Sequence, residues 1–298
     1  MATETYEQLA LKRSELALRQ QALVPLNTNV QSLCFGEDQH FELRTLASGL
    51  PKHLRQSGPK PNPFLPWDQR LEVSAVGKNH GLILNKYPVQ LGHMLLVTRS
   101  WAAQTDWLQP DDWVAISLVD AITTGLWFFN SGPDAGASQP HRHVQLLPRK
   151  ANEPVCPRAN WFQNAISAEC NQNPTSAVMQ ATRIIQRDPH HPRQSEHLWS
   201  LYQSLSQQLE LGEPSSDSKP KAPYNLLLTS NWMAIVRRRC DETHGFSVNA
   251  LGFAGYLLST DRSDLNWLQR NGPEALLNTV VEPFSENTVA QNREYVDR

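Results

Sequence analysis

Two rhythms of apolar residues run along the chain. The stretch HGLILNKYPVQLGHMLLVTRSW, residues 80–101, holds two apolar runs around a turn-rich centre with Tyr87, Pro88 and Gly92, which predicts a hairpin-like pair of strands. PDDWVAISLVDAITTGLWFF follows, with Pro110 at a first turn, Asp111 and Asp112 near the positive helix end, and Trp113, Ile116 and Ala121 spaced for a core-facing helix. In SEHLWSLYQSLSQQLELG, Leu198, Leu201, Tyr202, Leu205 and Leu209 fall on one helical stripe, with Gly212 as a stop signal. YNLLLTSNWMAIVRRR then repeats the style of LILNKYPVQLGHMLLVTRS: apolar strand, short turn, apolar strand, terminal arginines. The echo predicts two related αβ halves, 1–192 and 193–298, in an α+β protein with antiparallel sheet and flanking helices.

Other stretches carry less pattern. The N-terminal MATETYEQLALKRSELALRQQAL is a charged helix, and PKHLRQSGPKPNPFLPWDQRL is an irregular surface segment. Residues 151–192 are polar and weakly periodic. GEPSSDSKPKAP, residues 212–223, reads as an exposed, mobile linker.

The chemistry concentrates between residues 130 and 148, in NSGPDAGASQPHRHVQLLP. Ten histidines in 298 residues would give roughly 0.3 His-x-His pairs by chance, so the pair alone means little. Its setting says more. HVQLLP reads as a short strand ended by Pro148, and alternation along a strand would put His141, His143 and Gln145 on one face. Gly132 and Gly136 ahead of them permit positive φ, and successive amides in such loops can converge on an anion. A phosphate beside an imidazole is the chemistry this pattern describes.

Composition narrows the partner. With 40% hydrophobic and 19% charged residues the chain is ordinary globular protein, and a net charge of −2 gives no general drive toward nucleic acid or acidic membranes. Phosphate recognition must then be local, which favours a small nucleotide over a polymer. Cys34, Cys156, Cys170 and Cys240 are too scattered for a zinc knuckle or a disulfide framework, which fits a reducing cytoplasm. No apolar signal core or 18-residue apolar run is present, so no membrane segment is expected. His190, His191 and His197 lack accompanying Cys or acidic ligands and read as surface loop. Of Arg237 to Arg239 at most a subset could share one strand face and reach polyphosphate. The nine tryptophans are chiefly core, one being a candidate to stack on a base.

The strand pair, the helix and NSGPDAGASQPHRHVQ, in that order, closely resemble the diadenosine tetraphosphate phosphorylases, or ATP adenylyltransferases, of the histidine-triad superfamily. The likeness runs over most of the chain and implies a histidine-triad-like fold. In that family the triad is shortened to His-x-His-x-Gln, here His141, His143 and Gln145. Its Asn-Ser-Gly and Gly-(Ser/Ala)-Ser elements correspond to Asn130, Ser131, Gly132 and to Gly136, Ala137, Ser138, with Gln139 adjoining. LNKYP is similar to a family binding position and implies Asn85 and Lys86; LPKHL implies Lys52; VNALGFAG implies Asn249, Ala250 and Leu251. Asn85, Lys86 and Asn249 also read as turn residues, and Lys52 as solvated surface. Thr260 stands where the family pattern has a lysine, which leaves the C-terminal phosphate contacts open.

The resemblance implies reversible phosphorolysis of diadenosine tetraphosphate to ATP and ADP. His143 would be the nucleophile, forming histidyl-AMP, with its tautomer fixed by a backbone carbonyl around His141. Gln145 can donate to a phosphate oxygen but cannot titrate near neutral pH. The expected partners are diadenosine polyphosphates, ATP, ADP and inorganic phosphate, with Mg²⁺ arriving on the nucleotide rather than in a protein cage, and a monomer as the expected state. The alternatives are a hexose-1-phosphate uridylyltransferase, a dinucleotide hydrolase and a nucleotide-binding sensor without catalysis.

Overall fold

The computed structural model describes residues 4–35, 39–47, 62–150, 152–167 and 176–283. Helix α1 (Tyr6–Arg19) opens on Thr5, whose hydroxyl accepts the Gln8 N–H while the Gln8 side chain accepts the Thr5 N–H. This reciprocal cap satisfies two amides that a helix start leaves unpaired. Strands β1 (Thr28–Cys34) and β2 (His40–Leu46) follow as an antiparallel pair. The expected hairpin appears as β4 (His80–Leu84) and β5 (Met94–Thr98), preceded by β3 (Glu72–Val76). The expected helix is α2 (Pro110–Asp120), after which come β6 (Gly125–Asn130) and β7 (His143–Pro148).

The weakly periodic stretch contains α3 (Ala159–Ser167), α4 (Ala177–Gln180) and β8 (Thr182–Gln186). β8 is a half-buried edge strand with Thr182, Arg183 and Gln186 in its sequence, and such a strand shows little apolar pattern. Helix α5 (Gln194–Gln208) leads to β9 (Tyr224–Leu228) and β10 (Trp232–Arg237). The short strands β11 (Glu242–Thr243) and β12 (Phe246–Ser247), helix α6 (Ala250–Ala254), β13 (Tyr256–Ser259) and α7 (Leu265–Val280) complete the order.

Eight strands form one sheet in the order β3-β4-β5-β7-β6-β9-β10-β8, every neighbouring pair antiparallel. The order is symmetric about the β6–β9 seam: β5-α2-β6-β7 lies on one side and β8-α5-β9-β10 on the other. The chain is thus built of two related αβ halves joined into a single sheet. The counterpart of YNLLLTSNWMAIVRRR is therefore the β6–β7 pair rather than the β4–β5 hairpin that it echoes. Two apolar runs around a turn look the same in either register, and only strand order separates them.

Both faces of the sheet are covered. Leu82, Met94, Leu96, Trp127, Phe129, Val144, Leu226 and Ile235 are buried beneath α1, α2 and α5. Leu126, Phe128, Leu147, Leu227, Ala234 and Val236 are buried on the opposite face among α3, α4, α6 and α7. Two-sided burial explains why these strands read as continuous apolar runs instead of alternating ones. The β1-β2-β13 sheet lies on that second side, where Phe41, Leu43 and Leu257 join the core.

Segment 212–223 departs from the mobile linker expected of its composition. Helix α5 stops at Gln208, and Gly212 (φ 111°) turns the chain so closely that a Cβ there would lie 2.4 Å from Asp217 Oδ2 and 3.5 Å from Trp107. The Asp217 carboxylate accepts the Glu213 N–H, the Lys221 N–H donates to the Leu211 carbonyl, and Leu211 and Ala222 are buried. Side-chain and apolar anchoring of this kind is invisible in a Ser/Pro/Lys count. Among the described residues no helix is long and apolar enough to cross a membrane. Cys34, Cys156 and Cys240 are free thiols, and Cys170 lies outside the described residues.

Candidate active site

Strand β7 begins at His143, so the expected strand is interrupted: His141 sits two residues earlier, bridged to Ala103. Loop residue Gln104 holds this junction. Its Oε1 accepts the His143 N–H (2.8 Å), while its Nε2 donates to the carbonyls of His143 (3.2 Å) and Asn130 (2.8 Å). The ends of β6 and β7 are thereby tied together by one buried amide.

His143 is buried, and its Nδ1 lies 2.8 Å from the His141 carbonyl. A carbonyl can only accept, so the proton is on Nδ1 and Nε2 keeps its lone pair. Among the described residues Nε2 has no hydrogen-bond partner. Burial lowers the His143 pKa to about 4, opposed by the hydrogen bond to His141, so the ring is neutral at neutral pH.

His141 is fixed in turn. Its Nε2 donates to the Thr98 carbonyl at 2.9 Å, and its Nδ1 accepts from Asn62 Nδ2 at 3.0 Å. Asn62 has no choice of orientation, because its Oδ1 takes the Phe64 N–H at 2.9 Å. Burial again lowers the ring's pKa, against the bond to Thr98. Phe64 packs on both imidazoles, with centroids 5.8 Å from His141 and 5.3 Å from His143. The described end of the proline-rich segment thus covers the site. Trp67 beside it lies on Gly81, where a Cβ would come within 2.6 Å of the indole.

The loop between β6 and β7 turns at Gly132 (φ 111°) and Gly136 (φ 83°). It differs from the expected amide cradle. The Gly136 N–H donates to Pro133 and the Ala137 N–H to Gly132, so both amides are spent inside the loop. The Ser138 and Gln139 amides make no such bond among the described residues and are the ones left for an anion.

The remaining expected residues divide between foundation and surface. Asn130 is buried, and its Oδ1 accepts from Asn225 Nδ2 (2.8 Å) and from the Ala250 N–H (2.9 Å). Ser131 Oγ accepts the Tyr224 N–H. Asn249 caps α6 by accepting the Leu251 N–H, and it packs so tightly under Gly136 that a Cβ there would be 2.7 Å from the Asn249 Cβ. Asn130, Asn249 and Ala250 therefore brace the loop, and Leu251 supplies the capped amide of α6. Lys86 is exposed, its Nζ 5.7 Å from the Tyr87 ring centre, and Asn85 bonds His93. Lys52 lies outside the described residues. Thr260 accepts the Arg262 N–H within a turn.

Several members of the site went unread in the sequence. Arg238 is buried and donates to Asn225 and to the carbonyls of Cys240, Val248 and Val280; among the described residues it has no carboxylate ion-pair partner. Through Asn225, which also donates to the Ala135 carbonyl, this cation anchors the anion loop. Of the three consecutive arginines, Arg237 pairs with Glu282 and Arg239 is exposed near Thr279, so Arg238 alone serves the loop, from beneath. Gln104, Asn62 and His93 carry no motif, whereas Arg238 is named in the sequence only as one of three consecutive arginines of which a subset could share a strand face.

Comparison with known proteins places the chain as a whole. Residues 1–162 match the family model described as the Ap4A phosphorylase N-terminal domain, and residues 155–283 match the ATP adenylyltransferase C-terminal domain. Diadenosine 5',5'''-P1,P4-tetraphosphate phosphorylase 2 of Saccharomyces cerevisiae is 28% identical over 256 residues, covering 77% of this chain and 78% of the relative. Protein APA1 of the same yeast is 30% identical over 237 residues, 73% and 72% of the two chains. The fold is shared with crystal structures of yeast Ap4A phosphorylase Apa2 in complex with AMP (TM-score 0.72, 23% identity) and with Ap4A (TM-score 0.70, 22% identity). Each superposition covers 96% of this chain and 100% of that one.

Proposed function

This chain belongs to the Ap4A phosphorylase family, and from that premise we propose that it cleaves diadenosine tetraphosphate with inorganic phosphate, reversibly, to ATP and ADP. The observation that carries the chemistry is the locked tautomer of His143, with Nδ1–H on the His141 carbonyl and an uncommitted Nε2. Nε2 attacks one terminal, adenosine-linked phosphorus. The bond from that phosphorus to the bridging oxygen breaks, and ATP leaves with the bond's electron pair. Phosphate oxygen then attacks the adenylyl phosphorus of histidyl-AMP, the P–N bond breaks, and ADP departs, returning the neutral imidazole.

Low pKa matters here because a nucleophilic histidine must be unprotonated, and burial keeps it so without a neighbouring base. The Ser138 and Gln139 amides, with Lys86 and Lys52, are assigned to the phosphate chain, above a buried Arg238 cation. Mg²⁺ is assigned to the polyphosphate it accompanies; its chemistry is charge neutralisation on the leaving group. Trp101, 56% exposed with its ring 5.3 Å from that of His141, offers a flat apolar face to a purine. Gln145, unable to activate water, favours an intermediate that waits for phosphate.

The test is separation of nucleotide products from diadenosine tetraphosphate and Mg²⁺, with and without inorganic phosphate. Equal ADP and ATP appearing only with phosphate is expected. Products indifferent to phosphate would replace the reading with hydrolysis, and turnover of UDP-glucose alone would replace it with uridylyl transfer. Binding without turnover would leave a nucleotide sensor.

A further inference from the structure

Gln145 is useful to a phosphate one way round only, with its NH₂ toward the anion and its carbonyl away. The structure contains a chain of hydrogen bonds that sets this direction. The Tyr87 N–H donates to Asn85 Oδ1 at 3.1 Å, which leaves Asn85 Nδ2 to face His93 Nδ1 at 3.2 Å. Nδ1 must then accept, and the proton of the neutral ring resides on Nε2. That Nε2 lies 3.0 Å from Gln145 Oε1. Only the carbonyl end of the Gln145 amide can accept it, so the NH₂ end is turned elsewhere, and among the described residues it has no hydrogen-bond partner.

The arrangement follows from strand register. The Asn85 N–H donates to the His93 carbonyl, closing the β4–β5 hairpin one step beyond the Leu84–Met94 pair. On the other edge of β5, Leu95 is paired with Gln145 and Val97 with His143. Alternation puts His93, Leu95 and Val97 on the face that bears Gln145 and His143. His93 is 5% exposed, and burial lowers its pKa to about 4, so no second proton intrudes on Nδ1 at neutral pH.

We propose that His93 is a positioning residue: held as the Nε2–H tautomer by Asn85, it orients the Gln145 amide so that its NH₂ donates to the phosphate being transferred. Asn85 thereby acts two residues removed from the substrate, in place of the direct ligand role that the family resemblance implied. The proposal rests on the reading that His143 accepts the adenylyl group.

Two measurements test it. The first is ¹⁵N NMR of the histidines in the ligand-free protein, assigned with the His93→Gln variant. His93 is expected with its proton on Nε2, and a proton on Nδ1 would overturn the proposal whatever the reaction proves to be. The second is a double-mutant cycle on single-turnover formation of adenylyl-enzyme. His93→Phe should slow adenylyl transfer about 10-fold with little change in KM, as expected when a donor is present but no longer preorganised. In a Gln145→Ala background the same change should have no effect, and His93→Gln, whose amide can donate to Gln145, should recover most of the rate. Equal losses with and without Gln145 would make His93 a packing residue and refute the idea. If His93→Phe does not fold, the His93→Gln cycle and the NMR tautomer decide alone. Failure of the wild-type protein to form any adenylyl adduct would instead reject the reading of His143, leaving the tautomer result standing.

Discussion

Gln104 grips the backbone of His143 on both sides, accepting from its N–H at 2.8 Å and donating to its carbonyl at 3.2 Å. At the first residue of β7, the N–H and carbonyl of His143 are therefore both engaged by a side chain from a loop. Gln104→Leu would take away the partner of the buried N–H and carbonyl of His143, each a loss of about 1–3 kcal/mol. Chemical denaturation should show destabilisation of about 2–4 kcal/mol, with kcat falling more than KM rises. A variant as stable and active as the parent would show that the strand start is held elsewhere.

The proposed histidyl-AMP is expected on His143. Incubating His143→Ala with labelled diadenosine tetraphosphate should yield no acid-labile AMP adduct, whereas His141→Ala should retain a slow one, since it removes a ring and not the backbone acceptor. An adduct persisting on His143→Ala would reassign the nucleophile.

Replacing the neutral clamp tests why glutamine occupies that place. Gln145→His should raise product formation in the absence of phosphate relative to phosphorolysis, because imidazole can accept a proton from water. An unchanged product ratio would remove the explanation.

Arg238 donates from three nitrogens to four acceptors. Lysine cannot span them, so Arg238→Lys and Arg238→Met should both loosen the loop. We expect KM for the dinucleotide to rise about 10-fold or more and stability to fall by about 3 kcal/mol, the scale of a broken buried network. Normal KM in a folded Arg238→Met protein would disconnect this cation from the phosphate loop.

Acid should destabilise the protein in a defined window. His143 and His93 are held to about 4 in the folded state, against an ordinary value of 6.5. Between those values the unfolded chain binds more protons, so their contribution is present above about 6.5 and is lost as pH falls toward 4. Urea midpoints measured from pH 7.5 to 4.5 should decline through that interval. In His93→Phe the decline should be shallower, and an identical slope would contradict the assignment.

Strand runs, helix stripes and the His-x-His-x-Gln loop were legible because each obeys a local rule: burial on two faces, a period of 3.6, or glycine where φ is positive. The β8 edge strand was not, since an edge strand buries too little to leave an apolar signature. Nor was the inward turn of the Gly136 and Ala137 amides, because the number of amides in a loop does not say where they point. Gln104, Asn62 and His93 reach partners 39 or more residues away, while Arg238 acts through Asn225 and buried carbonyls, and no local pattern encodes such partners. Asn85 is singled out in the sequence as a binding residue, and the bond from its amide to His93 lies beyond any local pattern.

The seam between β6 and β9 joins two like halves, yet of the equivalent strands β7 and β10 it is β7 that bears a histidine; β10 reads Trp232 to Arg237 and runs on into the arginine that braces the other half's loop. Diadenosine tetraphosphate, by contrast, is the same read from either end. Under the proposed function, a mirror-symmetric ligand meets a protein that has kept one working hand and made the other its support. Either adenosine would then enter first with equal statistical weight, and one cut per encounter would be the most that His143 delivers.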